Sequence, residues 1–239
     1  PDRHLRKELI ELEIADQLKQ LQVKRLGFET AHVTHAAYER YKDVFHVELV
    51  PVKNIIEDIR LVKSENELNI IKKAAEIVDD AFLHILDYIK PGVKEVEIAN
   101  ELEFYMRKKG ATSSSFDIIV ASGHRSALPH GVASNKVLEH GELVTMDFGA
   151  YYNNYCSDIT RTVAVGEISQ TLKTVYHTVE HAQSLGVEQI KAGMTGKDAD
   201  AICRNYINEQ GFGDNFGHST GHGLGMEVHE GPGLTPKST

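Results

Sequence analysis

Asp147 in Met146-Asp147-Phe148-Gly149-Ala150 and Asp158 in Ser157-Asp158-Ile159-Thr160-Arg161-Thr162 sit on stretches that read as the two strands of one hairpin, about Leu143 to Val165. With the turn centred between Tyr152 and Asn153, Asp147 falls directly opposite Asp158. Side chains opposed across an antiparallel pair have Cβ atoms about 4.5–5.5 Å apart. Two ionised carboxylates at that distance repel, and a half-buried sheet face strengthens the repulsion. Three readings are open: bridging cations, a proton shared as in an acid/base dyad, or a solvated pair with no role. The neighbours Val144, Met146, Phe148, Ile159, Val163 and Val165 mark a core hairpin, which favours the cations. A three-residue loop would shift the register by one and undo the pairing.

A second concentration of chemistry lies between Gly217 and Gly231, where three histidines (His218, His222, His229) and five glycines occupy fifteen residues. Glycine permits positive φ and close backbone approach, at an entropic cost that an ordinary strand avoids. Imidazole mixed with carboxylate suits Mn, Co, Zn or Fe. The bland alternative is three satisfied polar histidines, and a phosphate loop is disfavoured because no Lys or helix pattern follows the glycines. Upstream, His130 lies between Pro129 and Gly131 in a polar loop leaving a buried strand. Alone it reads equally well as a surface histidine.

The elements that must position these residues form an internal repeat. A helix from Glu65 to about Ile89 ends at Ile89-Lys90-Pro91-Gly92, and another from about Val96 to Lys109 stops at Gly110. A helix from Ser169 ends at Ile190-Lys191-Ala192-Gly193, and another from about Lys197 to Gln210 stops at Gly211. Both glycines recur at an offset of 101, and Leu102/Cys203, Tyr105/Tyr206 and Met106/Ile207 match in chemistry. Duplication is favoured over chance likeness of capped helices. Phe116 to Ala121 has a buried-strand composition, and Ser64 with Glu67 has capping-box spacing at the first helix. Residues 1–60 read as two helices (a Leu5, Leu9, Leu12, Leu18 stripe, then His32 to Asp43) alternating with strands at Arg25–Glu29 and His46–Val52. That is the back half of an α/β domain, followed by a second domain at 61–239.

The 239 residues, 41% hydrophobic and 26% charged, suit a globular protein with a sizeable core. A net charge of −9 argues against nucleic-acid binding. No apolar run approaches the roughly 20 residues of a membrane span, and no secretory signal is visible. Cys156 and Cys203 are expected as reduced buried thiols rather than a disulfide, which points to the cytoplasm. The missing initiator Met is read as a fragment boundary.

Ser126-Ala127-Leu128-Pro129-His130-Gly131, the two aspartate motifs, and Gly221-His222-Gly223-Leu224-Gly225-Met226-Glu227-Val228-His229-Glu230 together resemble the successive signatures of the pita-bread metallopeptidases. The branch is the Xaa-Pro peptidases, aminopeptidase P and Xaa-Pro dipeptidase (prolidase), and the likeness covers about residues 55–239. It implies an α+β, pseudo-two-fold pita-bread (creatinase/aminopeptidase) fold, here truncated at its C-terminus and preceded by a partial α/β N-terminal domain. It implies hydrolysis of the bond preceding proline by a hydroxide bridging two divalent ions, Mn ahead of Co and Zn. Asp147 would hold one ion bidentately, Asp158 would bridge both, and His222 would supply an imidazole. His130 and His229 would act catalytically beside the leaving group and scissile carbonyl, and His218 would stand by the proline of the substrate. Short peptides with proline second would be the substrates, the full-length protein would be a homodimer, and neither nucleic acid nor membrane would be a partner.

One departure from the family pattern is visible. The family completes its site with two glutamates, which pseudo-symmetry puts at about positions 248 and 259, beyond Thr239. The 239-residue chain is therefore expected to be inactive alone. Two alternatives share the fold: a creatinase-like metal-free hydrolase and a non-catalytic protein-binding module. The intact Asp147, Asp158 and His222 argue against both.

Overall fold

The computed structural model describes residues 3–238, with side chains from Ile10 onward. Packing divides the chain into a unit ending at Ile59 and a larger one starting at Arg60.

In the first unit, α1 (Arg3–Gln20), β1 (Arg25–Glu29), α2 (His35–Phe45), β2 (Glu48–Val52) and α3 (Ile55–Arg60) follow in order. The strands pair in parallel, Arg25 with Glu48 through Glu29 with Val52. α2 starts three residues later than expected because Thr34 caps it, its hydroxyl accepting from the Ala37 amide at 3.2 Å. It ends at His46, whose left-handed φ of 50° breaks the helix and delays the strand to Glu48. α3 was not anticipated. The leucine stripe of α1 holds only in part. Leu18 is buried, Leu12 is exposed, and the side chains of Leu5 and Leu9 lie outside the described residues.

The second unit opens on α4 (Glu65–Ile85), where the Ser64 and Glu67 side chains cap each other's backbone N–H groups. Ala74, Ile77, Val78, Ala81 and Ile85 form its buried stripe at helical spacing. α5 (Glu95–Lys108) buries Ile98, Ala99, Leu102 and Met106. Two three-stranded sheets follow. β3 (Ser113–Ser114) pairs with β6 (Ala150–Tyr152), which pairs with β7 (Tyr155–Cys156). β5 (Leu143–Phe148) lies between β4 (Ile119–Ser122) and β8 (Ile159–Ala164). Val144, Met146 and Phe148 are fully buried and join the α4 and α5 stripes in one core. Because strand side chains alternate, Thr145 and Asp147 face the other way.

The repeat is visible in three dimensions. α6 (Gln170–Gln189) and α7 (Gly196–Glu209) pack as the second helix pair, and Gly92, Gly193, Gly110 and Gly211 all take positive φ as chain-reversing glycines. Tyr105 contacts the His84 ring at 4.0 Å, and Tyr206 contacts His181 at 4.6 Å. Shifting β4 by 101 residues lands on 220–223, where β9 (Gly221–Gly223) runs antiparallel to β10 (Glu230–Leu234). Cys156 and Cys203 are free and buried, in line with expectation.

Replacing Phe148 by Ala is expected to lower unfolding free energy by about 3–5 kcal/mol in urea titrations, whereas Thr145→Ala, on the opposite strand face, costs about 1 kcal/mol. Equal losses would contradict the alternation.

Candidate metal centre

The hairpin register differs from the sequence expectation. Asp147 pairs with Thr160, not Asp158, and pairing continues at Tyr151–Cys156 and Tyr152–Tyr155. The reversal is made by Asn153 and Asn154, with φ of 46° and 69°, one residue later than assumed. Two left-handed residues are what a two-residue hairpin turn requires, and asparagine tolerates them. The resulting slip is two residues, so Asp158 keeps its face and stands diagonal to Asp147. Gly149 makes the junction feasible, since a Cβ there would overlap the Ser157 carbonyl oxygen.

The aspartates still meet. Burial first, and Asp158 second, push the Asp147 carboxyl up to about 6, against opposing effects from Thr160 and His130. Asp147 Oδ1 is buried and has no hydrogen-bond partner among the described residues. His222 completes the group from the second half of the fold: its Nε2 lies 3.4 Å from Asp158 Oδ2. Its Nδ1 lies 2.9 Å from the Gly223 carbonyl oxygen, an acceptor only. Nδ1 must therefore carry a proton, and in the neutral ring Nε2 then turns a lone pair toward a carboxylate oxygen. Two acceptors face each other, which only a proton or a cation between them resolves. A backbone carbonyl fixing the far nitrogen is also the usual outer support of a metal-binding histidine. The orphaned Asp147 oxygen and this acceptor pair fit a divalent cation.

The other histidines are distributed unequally. His229 packs on His222, ring centroids 4.4 Å apart. His130 is exposed yet close enough to favour the charged form of Asp147. Its loop is gripped from beneath by the fully buried Glu95, which accepts from the Ser122 and Ser134 amides and hydroxyls and from Arg125 Nε. His218 is not drawn in. It packs edge-on against Phe216, and among the described residues it has no hydrogen bond to either aspartate. The five glycines between Gly217 and Gly231 do not adopt positive φ. Close approach explains some of them: a Cβ at Gly223 would strike the Gly231 carbonyl, and one at Gly225 the Glu230 carboxylate.

Several contributors escaped the sequence reading. Thr160, a hydrogen-bond partner of Asp147, sits inside the quoted motif but gave no signal of its own. Glu230, next to His229, is held by Arg60, by Lys63 at 2.9 Å and by the Glu227 amide. Asp200 and Arg204 read as an ordinary i,i+4 surface pair, yet Asp200 is 1% exposed. In the first unit Glu29, His32 and Glu57 bring three donor atoms within 4.8 Å. Their ligand atoms are spread over a loop and two elements with no recognisable spacing. His32 and Glu57 also already contact each other at 3.4 Å.

An Asp raised to about 6 from 3.8 stays protonated in the fold at pH values where the unfolded chain has ionised. The metal-free fold thus keeps its full stability below about 3.8 and loses part of it as pH rises through about 6. Asp147→Asn is expected to abolish that decline and to make the metal-free protein more stable than wild type by about 1–3 kcal/mol at neutral to alkaline pH. Denaturant titrations across pH check this; parallel profiles for both proteins would refute it.

Residues 69–239 match the model of metallopeptidase family M24, and residues 3–62 match that of the creatinase/prolidase N-terminal domain. The chain is 60% identical over 226 residues to the uncharacterised peptidase YqhT of Bacillus subtilis (strain 168), covering 94% of this chain and 64% of that protein. It is 45% identical over 211 residues to a Xaa-Pro dipeptidase of Pyrococcus furiosus, covering 88% and 60% respectively. A solved Xaa-Pro dipeptidase from Bacillus anthracis superposes with a TM-score of 0.95 at 58% identity, over 96% of this chain and 64% of that one. The architecture is therefore the expected pita-bread fold, and the chain spans somewhat under two thirds of the length of these relatives.

Proposed function

This chain belongs to metallopeptidase family M24, and from that premise we propose that it carries the metal-holding core of a hydrolase that cuts the peptide bond preceding proline in short peptides. The observation that carries the proposal is the confrontation of acceptors: Asp158 Oδ2 against His222 Nε2 at 3.4 Å, beside the unpartnered Asp147 Oδ1. A divalent cation would satisfy all three groups at once, whereas a proton would satisfy only the Asp158–His222 contact. The Xaa-Pro dipeptidase names of two of these relatives support the choice of substrate.

In this reading Asp147, Asp158 and His222 would hold two divalent cations, with Mn preferred and Co or Zn also compatible with the donor set. When bound, such ions lower the pKa of water to near neutrality and polarise a carbonyl. The chain's own residues do the rest. Asp147 and Asp158 give up repulsion on binding, so the energy stored in their proximity is released into cation affinity. His229, whose ring packs at a tilt against that of His222, would donate a hydrogen bond to the oxygen that becomes negative as the carbonyl is attacked. His130, on the loop anchored by Glu95, delivers a proton to the departing nitrogen. His218 borders the pocket for the proline ring. Three donors are too few for two ions, so the reading calls for further carboxylates beside them, and the protein would act as a cytoplasmic homodimer.

A polypeptide extended to the length of the relatives is expected to hydrolyse an Xaa-Pro dipeptide with Mn²⁺ and to lose that activity with a chelator. Asp158→Asn should lower kcat/KM by at least roughly a thousandfold, and His218→Ala should raise KM roughly tenfold. Steady-state kinetics decide. Robust turnover by the 239-residue chain alone, or chelator-resistant turnover by the extended one, would overturn the proposal.

A further inference from the structure

We infer that Asp200 and Arg204 form a positioning pair that anchors residues 216–220 at the entrance to β9 and so aims His222 at the aspartates. The inference deepens the functional reading above and rests on it for its link to activity. The two side chains sit one turn apart on α7, with Arg204 Nε 2.6 Å from Asp200 Oδ2 and Nη2 3.0 Å from Oδ1. All further bonding of this forked ion pair is directed at one segment. Arg204 Nη1 donates to the Phe216 carbonyl at 2.9 Å, and Nη2 donates to the His218 carbonyl at 2.6 Å. Asp200 Oδ1 accepts from the Thr220 amide at 2.9 Å, an N–H shared with the Leu234 carbonyl. The Thr220 hydroxyl in turn donates to the Asp200 carbonyl at 3.4 Å. The guanidinium also lies 4.4 Å from the centre of the Phe216 ring, against which His218 packs edge-on.

The spacing of these contacts matters more than their number. They fall on residues 216, 218 and 220, every second position. The segment bends at His218 and Thr220 and forms no ladder of its own before β9, so these three anchors decide where it enters that strand. β9 begins at the next residue, so the backbone position fixed at Thr220 is passed directly to His222. A slip of one residue would turn the imidazole away from Asp158, just as it would flip any strand. Downstream, His222 pairs with Gly233, which has no side chain to hold the imidazole from the neighbouring strand. The first half of the fold shows the same device in other residues: Glu95 on α5 grips Ser122 at the end of β4 and Ser134 beyond the His130 loop. Each half thus buries a carboxylate on its second helix and directs it at the segment that serves the centre. A buried ion pair stabilises a fold little by itself, so geometric specification is the better account of why this one is present.

The test uses Arg204→Lys, which keeps the buried charge pair but lacks the planar fork needed to reach Asp200 and two carbonyls together, and Asp200→Asn as a second variant. In the 239-residue chain, imidazole nitrogen resonances are followed by NMR. The expected result is movement of the His222 and His218 signals in both variants, with His130 and the β5–β8 amides at wild-type positions. In the extended polypeptide, Mn²⁺ affinity should fall and kcat/KM for an Xaa-Pro dipeptide should drop roughly tenfold or more. Wild-type His222 signals in Arg204→Lys would overturn the inference, as would a uniform loss of stability with unmoved imidazoles. Should the extended wild type leave Xaa-Pro dipeptides intact, the substrate reading fails while the imidazole signals still judge the positioning pair.

Discussion

Two carboxylates are held together on the polar face of a hairpin whose other face is packed shut. Val144, Met146 and Phe148 are fully buried against α4 and α5, which fixes the rotation of β5 and leaves Asp147 no alternative direction. Asp158 follows because the strands pair in a register that keeps both residues on that side. The core thus enforces an arrangement that the carboxylates on their own resist, and burial first, with the Asp158 charge second, raises the proton affinity of Asp147. A proton or a cation relieves the conflict.

Much of this frame was legible in the sequence. The repeat could be found from four glycines and the helices they terminate, because a chain-reversing glycine and a capping serine leave local signatures that do not depend on tertiary context. The same holds for the core hairpin, whose alternation survives any small error in its turn. The turn itself was misplaced by one residue. Asn153-Asn154 and Tyr152-Asn153 are both plausible tips, and only the pairing of the whole strands, down to Leu143 with Ala164, decides between them. α3 was missed because a six-residue helix offers too few turns for a periodic stripe. The glycines around His222 were assigned to the wrong cause, since positive φ and tight packing demand the same residue and differ only in space.

The buried polar supports were illegible for another reason. Glu95, Asp200 and Glu230 each look like solvated charges, at a helix start, in an i,i+4 pair and beside a histidine. Their partners lie up to 170 residues away, as for Arg60 with Glu230. Burial outside a periodic pattern is a property of the assembled fold, and no local rule marks it. The residues that carry out chemistry are announced by type and spacing, whereas those that hold them in place are recognised only by what they touch.

The two-asparagine tip of the hairpin carries one last consequence, for how such a protein can vary. Adding a single residue there would exchange inside for outside along the whole returning strand and send Asp158 into the hydrophobic interior. Adding two would merely displace it along the same side, as the discrepancy between expected and observed pairing already illustrates. Length changes at this tip should therefore be accepted in even increments and rejected in odd ones, a parity rule imposed by the spacing of the peptide backbone rather than by anything at the tip itself.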